Sequence, residues 1–216
     1  DYTGVTVEPF TVCLDEGEHW LELVEPGQPL VIAEVALAAP ERADFYVTPE
    51  DIRTDVYEPI VIEGEDAAVK SNSAMVPKAD TNDAGMSPAD AYYTRINYIG
   101  GTSWQSPRET LTWSFRVKTA GYYRLGFRYK QNTVINGESW RWLKIDGETP
   151  FEEAKTLRFP YDPQWSFYEF SAEDGQPYYL WLDAGEHELS LEVTLGEMAV
   201  YYERLSRIVQ QLGDEY

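Results

Sequence analysis

Two glutamates in the first third of the chain have the spacing of a cation site. Glu63 and Glu65 are two residues apart in a segment predicted as a strand, so both carboxylates project from the same face. Adjacent like charges repel unless a cation or a basic group neutralises them. Because calcium accepts several oxygen ligands, including carboxylates, the pair is a candidate calcium site. The alternative is a solvated pair in a protein with many acidic residues.

A second set of residues combines aromatic rings with polar groups at predicted strand ends and in loops. A pyranose has an apolar C–H face that stacks on a flat ring, while its hydroxyls need directed polar partners. An arginine offers two parallel donors to hydroxyls or to a uronic carboxylate. For each loop aromatic, packing in the core or in an interface is the alternative. The candidate sugar-binding residues are Trp140, Trp165, Tyr161, Arg141, Trp104 and Asn97.

The sequence contains no recognisable catalytic motif. No phosphate loop, zinc-ligand spacing, dinucleotide fingerprint or nucleophile elbow is present. The only histidines, His19 and His187, occupy similar turn positions, which favours a role in bonding the turn backbone. A glycosidase needs two carboxylates at a fixed separation, and the 38 acidic residues mark no such pair. We therefore predict a protein that is not an enzyme, with a glycoside hydrolase as the weaker alternative.

Composition restricts the partners. Lys and Arg number 17 against 38 Asp and Glu, which gives a net charge of −21. Such a charge repels phosphate, so it argues against nucleic acid and anionic membranes as partners. No apolar run approaches the length that crosses a bilayer, so no membrane insertion is expected. The single cysteine, Cys13, excludes an internal disulfide, and 7 Trp with 16 Tyr exceed what the core requires.

Period-two patterns dominate the elements that must position these residues. Alternating runs at 110–118 and 123–129 flank a turn signal and predict a β-hairpin. A second hairpin is predicted from 178–182 and 188–193. Residues 140–145 predict a strand closed by the turn pair Asp146-Gly147. Further strands are predicted at 60–63 and 92–98, and the whole indicates an all-β, antiparallel β-sandwich.

Two other segments stand out. Residues 201–216 predict a short C-terminal helix, because Tyr201, Leu205, Ile208 and Leu212 recur at helical spacing. The segment 71–90 is rich in Asn, Asp, Ser, Pro and Gly and is long enough to be a functional loop.

The two ends of the chain share a sequence. Residues 10–23 (FTVCLDEGEHWLEL) match residues 178–191 (YYLWLDAGEHELSL) at seven positions with an offset of 168. We therefore predict four parts: N-terminal strands at 1–45 that close a preceding similar sandwich, a linker at 46–57, a sandwich at 58–200 and the helix at 201–216. Residues 1–45 are expected to pack on the main sandwich or on another copy; the alternative is that they add strands to one domain.

Ordered landmarks between residues 61 and 195 carry a family resemblance. They are the E-x-E-x-A-like stretch 62–67, the runs 111–117 and 120–125, the strand and turn 143–147, Trp165, and the stretch 182–191. In this order they resemble carbohydrate-binding modules of families six and thirty-five.

The resemblance implies a β-jelly roll that binds an oligo- or polysaccharide without cleaving it, in a larger extracellular or cell-surface bacterial protein. It also implies a structural calcium on Glu63 and Glu65, although Glu197 and Glu203 stand where an Asp ligand is usual. The repeated stretch and the trailing helix look more loosely like modules in solute-binding proteins of sugar transporters. The alternative function is a structural sandwich that packs against neighbouring domains and binds nothing small.

Overall fold

The computed structural model describes residues 14–22, 31, 35, 37, 39, 42–50, 52, 58–83, 85–90, 92–196, 198–199, 201, 204–205 and 208. The chain divides into two compact units, Asp1–Arg42 and Ala43–Tyr216.

All nine strands of the described residues lie in the second unit. They are β1 (Val69–Lys70), β2 (Thr110–Val117), β3 (Gly121–Arg124), β4 (Gly126–Gln131), β5 (Glu138–Ile145), β6 (Leu157–Pro160), β7 (Asp162–Glu169), β8 (Tyr179–Leu182) and β9 (Gly185–Thr194). Short 3₁₀ turns form at Gly64–Asp66, Gly101–Ser103 and Glu152–Thr156.

The strands form two antiparallel layers. One layer is a five-stranded sheet in the order β1-β2-β9-β5-β6. The other consists of the pairs β3-β8 and β4-β7. The two pairs are linked because Leu125, between β3 and β4, accepts a hydrogen bond from the amide of Phe170, which follows β7 (2.9 Å). This arrangement confirms the predicted all-β, antiparallel β-sandwich.

Alternating side chains from both layers build the core. On β2, Leu111, Trp113 and Val117 are buried, as the period-two pattern predicted. Burial of these apolar surfaces supplies the main stabilising free energy of such a fold. The buried cluster consists of Met75, Leu111, Trp113, Leu143, Phe151, Ala154, Leu157, Phe159, Phe170, Leu180, Leu189 and Leu191.

Both predicted hairpins are wrong, although their strands exist. β2 pairs with β1 and β9, whereas β3 pairs with β8 in the other layer. β8 and β9 are likewise consecutive strands that belong to different layers. A turn signal shows that the chain reverses, but it does not show which strand becomes the neighbour. Crossing to the opposite layer buries the same apolar faces against the same core, which is the connectivity of a jelly roll.

The predicted strands at 60–63 and 92–98 are also wrong. Residues 60–63 form no strand and lead into the 3₁₀ turn at Gly64–Asp66. In 92–98 only Tyr98 pairs, through an isolated bridge to Lys78. The strand-based reason for placing Glu63 and Glu65 on one face therefore fails. By contrast, the turn after β5 is confirmed, since Asp146 and Gly147 have φ values of +53° and +83°.

The repeated stretch has the same local geometry in both units. The Nε2 atom of His187 lies 2.8 Å from the carbonyl oxygen of Asp183, and that of His19 lies 2.6 Å from the carbonyl oxygen of Asp15. This confirms that the histidines bond the turn backbone. Gly17 and Gly185, at matching positions, have φ values of +147° and +159°. The assignment of 1–45 to a preceding sandwich stays a prediction.

The segments on either side of the predicted sandwich are described to different extents. Tyr46, in the predicted linker, packs edge-on against Phe151 and Tyr178 with centroids 4.9 and 4.8 Å apart. Of the predicted C-terminal helix, only isolated residues are described: Tyr201, Arg204, Leu205 and Ile208. Their backbone is helical, but the rest of 201–216 lies outside the described residues, so the structure supports no bounded helix there.

Candidate functional site

The long polar loop predicted to be functional, 71–90, forms a cleft together with residues of 93–97. Its volume is about 310 Å³, and we call it the Asp80 cleft. The polar and aromatic residues that line it include Asp80, Asp83, Asp90, Tyr93, Arg95 and Asn97. The cleft opens at the end of the sandwich where β4 finishes, because Lys130 of β4 bonds the Asp80 carboxylate.

Asp80 connects this loop to the sheet. Its Oδ2 accepts hydrogen bonds from Nε1 of Trp165 (2.9 Å) and from Nζ of Lys130 (3.1 Å). Its Oδ1 accepts one from the amide of Asn82 (2.9 Å). The bonds from Asn82, Trp165 and Lys130 stabilise the carboxylate and lower the pKa of Asp80 from 3.8 to about 2. Asp80 is therefore an ionised acceptor across the whole physiological range.

Asn97 fixes the backbone of the same residue. Its Nδ2 donates to the carbonyl oxygen of Asp80 (2.9 Å), and its Oδ1 accepts from the Asp80 amide (2.8 Å). The side chain is buried, yet Asn97 still contributes to the lining of the cleft. Its amide is thus engaged mainly in shaping the loop.

Trp165 is not one of the residues that line the cleft, but its ring is fixed by a bond to Asp80, which does line it. The half-buried indole is oriented by Asp80, by an edge contact with Tyr98 (centroids 5.7 Å apart) and by Lys130, whose Nζ lies 5.8 Å from the ring. The structure thus brings together Trp165 and Asn97, which are 68 positions apart in the sequence, through one aspartate. Reasoning from the sequence missed Asp80 and Lys130, because neither lies in a recognisable motif.

The cations around the cleft are matched by carboxylates. Lys130 pairs with Asp80 (3.1 Å), Arg128 with Asp83 (3.6 Å) and Arg95 with Asp90 (3.2 Å). Bonds from the amide of Tyr92 and from Arg95 lower the pKa of Asp90. The cleft therefore offers many donors and acceptors, but its positive charges already have negative partners.

Arg141 and Trp104 form a separate packing unit. The buried guanidinium of Arg141 lies 4.1 Å from the centre of the Trp104 ring and donates to the Trp104 carbonyl (3.1 Å). Trp104 also packs edge-on against Trp113. Burial lowers the pKa of Arg141 to about 10, which still leaves it charged. These two residues position the loop before β2, and neither lines the Asp80 cleft.

Trp140 and Tyr161 are not in the cleft either. Trp140 is only 7% exposed, and the backbone at Gly196 lies directly over its ring, so Trp140 is not available to stack on a sugar. Trp140 alternates with the core residue Leu143 along β5 and so lies on the other face of the strand, but no local pattern shows that the chain after β9 covers that face. Tyr161 is half-buried in the turn between β6 and β7.

The predicted calcium ligands have one feature that fits a cation. Oε2 of Glu65 is buried and has no hydrogen-bond partner among the described residues. Burial, followed by the nearby charges of Glu63 and Asp66, raises the pKa of Glu65. Within the described residues, however, no group of three or more His, Cys, Asp or Glu side chains is arranged to hold a metal ion. Glu197 and Glu203 lie outside the described residues.

Comparison with known proteins gives structural likenesses alone. No protein-family model matches the chain, and no curated protein matches it in sequence. A family 35 carbohydrate-binding module from Clostridium thermocellum is 15% identical, with a TM-score of 0.44 over 63% of this chain and 88% of that module. A GH26-CBM35 β-(1,4)-mannanase of Podospora anserina is 18% identical, with a TM-score of 0.41 over 62% of this chain.

A cycloisomaltooligosaccharide glucanotransferase from Paenibacillus sp. is 22% identical, with a TM-score of 0.43 over 61% of this chain. The match spans only 15% of that glucanotransferase and 24% of the mannanase. Within the described part of the chain, no helix is both long enough and apolar enough to cross a membrane.

Proposed function

We propose that this sandwich is a non-catalytic glycan-binding module and that the Asp80 cleft holds the sugar. The observation that carries the proposal is the Asp80 arrangement, in which Asp80 lines an open cleft and also fixes the ring of Trp165 on β7. A sugar needs an oriented ring for its C–H face and directed polar groups for its hydroxyls. Trp165 supplies the ring, and the Asp and Arg side chains of the loop supply the polar groups.

The charge pattern of the cleft favours a neutral glycan. A uronic acid or a sulfated sugar needs a cation that can be turned toward it, whereas Lys130, Arg128 and Arg95 already face carboxylates. The net charge of −21 adds a general repulsion of anionic polymers. The hydroxyl groups of a neutral sugar, by contrast, are able to donate to the carboxylates of these ion pairs or to accept from their cations.

The first experiment is thermal unfolding of the chain against a panel of soluble neutral and acidic oligosaccharides. A ligand at about 100 times its Kd stabilises the folded state by roughly 2.7 kcal/mol, which corresponds to a rise in Tm of about 5–10 °C. The proposal predicts such a rise with at least one neutral glycan. The absence of any shift at millimolar concentrations across the panel would contradict it.

A structural calcium on Glu63 and Glu65 belongs to the same proposal. The buried, unpartnered oxygen of Glu65 supports it, since a cation satisfies such an atom and offsets the neighbouring carboxylates. Calcium is expected to raise Tm in the wild-type chain and not in Glu65→Gln. An equal response of both proteins would place any calcium elsewhere.

The setting that we propose is an extracellular or cell-surface bacterial protein, in which the module accompanies further domains. The support is the ordered sequence resemblance described above. Release of the protein into the medium or its display on cells, detected with an antibody, tests this setting.

One observation favours a second function, that of a purely structural sandwich. Trp140, Trp104 and Arg141 are engaged in packing and are not available to a ligand. Under this alternative Trp165 is also only a packing residue. The glycan panel separates the two functions, because a structural sandwich gives no shift with any sugar.

A further inference from the structure

A second aromatic groove lies near the opposite end of the sandwich, and we call it the Trp181 groove. Its volume is about 390 Å³, and its aromatic lining includes Phe45, Tyr46, Tyr122, Tyr179 and Trp181. Trp181 and Tyr122 are cross-strand partners on β8 and β3. Leu180 and Leu182, the neighbours of Trp181, are buried in the core, so Trp181 projects outward from the layer.

The ring of Trp181 is exposed but fixed. The residue is 55% exposed. Its Nε1 donates to Oδ1 of Asp183 (3.1 Å), and Tyr122 packs against it edge-on with centroids 5.0 Å apart. A surface tryptophan with this orientation presents a flat ring beside a carboxylate, which is the combination that a pyranose needs.

The opposite wall of the groove is an anchored segment without regular secondary structure. The carbonyl of Asp44 accepts a hydrogen bond from the Glu152 amide (2.8 Å), and the Tyr46 amide donates to Oε2 of Glu153 (3.0 Å). The Tyr46 hydroxyl accepts a bond from the amide of Tyr179 (3.2 Å). The groove is therefore preformed, which lowers the entropic cost of binding.

The charges that line the groove determine which class of ligand it can bind. No Lys or Arg is among its described lining residues, and Asp44 supplies the only formal charge of that lining. An anionic sugar or an acidic peptide would meet no cation there, while the protein as a whole carries −21. The tyrosine hydroxyls of the lining suit sugar hydroxyl groups, and so does the carboxylate of Asp183, which lies outside the lining but bonds Trp181. The complementary occupant is a neutral pyranose.

The two sites are connected by nearly continuous strands. Tyr122, in the Trp181 groove, is eight residues before Lys130, which bonds Asp80, and only Leu125 interrupts β3 and β4. An extended chain of this length spans roughly 26 Å. A single glycan long enough to reach both sites would meet the second site at a raised effective concentration, whereas two separate chains would bind without this gain.

We propose that the Trp181 groove is a second binding site for neutral glycans, independent of the Asp80 cleft. Trp181 stacks on the sugar, and the segment 44–49 forms the other wall of the site. The module would then bind sugar at both ends.

The test is a titration of the isotopically labelled full chain with a neutral oligosaccharide, followed through the indole N–H resonances. The resonance missing from Trp181→Ala identifies Trp181, and that missing from Trp165→Ala identifies Trp165. We expect the Trp181 resonance to shift in the wild type and in Trp165→Ala. Trp20→Ala, which removes a tryptophan that is 95% exposed, is the matched control.

The outcomes separate the two proposals. A shift of Trp181 alone supports the second site and contradicts the assignment of the Asp80 cleft. A shift of Trp165 alone overturns the second site. Binding of a non-ionic detergent or an apolar peptide in the groove without any response to sugars also overturns it. If Trp181→Ala does not fold, Tyr122→Ala is expected to weaken this site about tenfold, and unchanged affinity in that variant would overturn it.

Discussion

Among the residues that line the cleft, Asp80 has the most strongly shifted pKa, although it lies in no recognisable motif. Its carboxylate accepts bonds from Trp165, Lys130 and the Asn82 amide, and these hold its pKa near 2. An aspartate with this environment stabilises the folded state only while it is ionised. The loop and the Trp165 ring should therefore lose their attachment together when Asp80 is neutralised.

The pH dependence of stability tests this role. Because the pKa of Asp80 is about 2 in the folded protein against an ordinary value of 3.8, its contribution is present above about pH 4. It is lost as the pH falls toward 2. Asp80→Asn should lower Tm at pH 6 and should lose less stability than the wild type between pH 4 and pH 2. A gap in Tm that stays constant over this range would contradict the assignment.

At the residue scale, the sequence predicted the types of side chain better than their surroundings. Trp165 and Asn97 both bond Asp80, which lines the cleft, whereas Trp140 is covered and Arg141 is buried on Trp104. Alternation along β5 shows which residues share a face, but not what lies over that face. For Trp140 this depends on where the chain runs after β9, which no local pattern specifies.

The corner between β8 and β9 shows how elements are held together at a distance. His187 bonds the carbonyl of Asp183 through Nε2 and the carboxylate of Asp146 through Nδ1, the latter at 2.6 Å. It therefore joins this corner to the turn after β5. The bond to Asp146, followed by that to the Asp183 backbone, raises the pKa of His187.

The bond between His187 and Asp146 predicts that stability changes with pH in the direction opposite to the Asp80 effect. A raised pKa in the folded state gives stability that is fully present below pH 6.5, the ordinary value, and is lost as the pH rises through the folded pKa. In Asp146→Asn the remaining oxygen still accepts from the Glu188 amide, while an NH2 group replaces the charged oxygen that faces Nδ1 of His187. Its deficit in unfolding free energy should be larger at pH 5.5 than at pH 9. An equal deficit at both values would exclude the ion pair as its cause.

Two glycines provide a matched test of how the elements pack. A Cβ on Gly196 would lie 2.2 Å from Cδ2 of the buried Trp140, and Gly196 has a φ of +52°. Gly196→Ala should therefore lower the unfolding free energy by about 2 kcal/mol or more, since both overlap and backbone strain oppose it. A Cβ on Gly126 would lie 2.4 Å from Cζ of Phe167, but that ring is 73% exposed and free to turn outward.

Chemical denaturation of the two variants distinguishes these cases. Gly126→Ala is expected to cost clearly less than Gly196→Ala. Equal losses would mean that Trp140 is not confined by the chain after β9.

At the element scale, strands were predictable and their partners were not. The period-two runs of β2 and β9 are local properties, because each buries one face. Pairing is non-local, so the turns after β2 and β8 resembled hairpins although the chain crosses between layers there. The match between the two corners was predictable, since the His and Gly residues that form the turn are themselves repeated.

At the scale of the whole molecule, the sandwich class followed from the number and spacing of alternating runs. The large negative charge belongs to the same scale, because it acts on every partner irrespective of the site. A neutral sugar has no net charge to interact with this field. High salt screens the exposed charges of the protein, so the affinity for a neutral glycan should be nearly the same at low and at high salt. A steep loss of affinity with salt, measured by calorimetry, would point instead to a charged ligand.

The measurement that tests the central claim most directly is a calorimetric titration of the wild type, Trp165→Ala and Trp20→Ala with the glycan that raises Tm most. A stacking residue of this kind contributes about 2 kcal/mol, so Kd at the Asp80 cleft should rise about 30-fold in Trp165→Ala. Trp20→Ala should bind as the wild type does. Unchanged binding by Trp165→Ala, with its fold intact, would show that the Asp80 cleft does not hold the sugar.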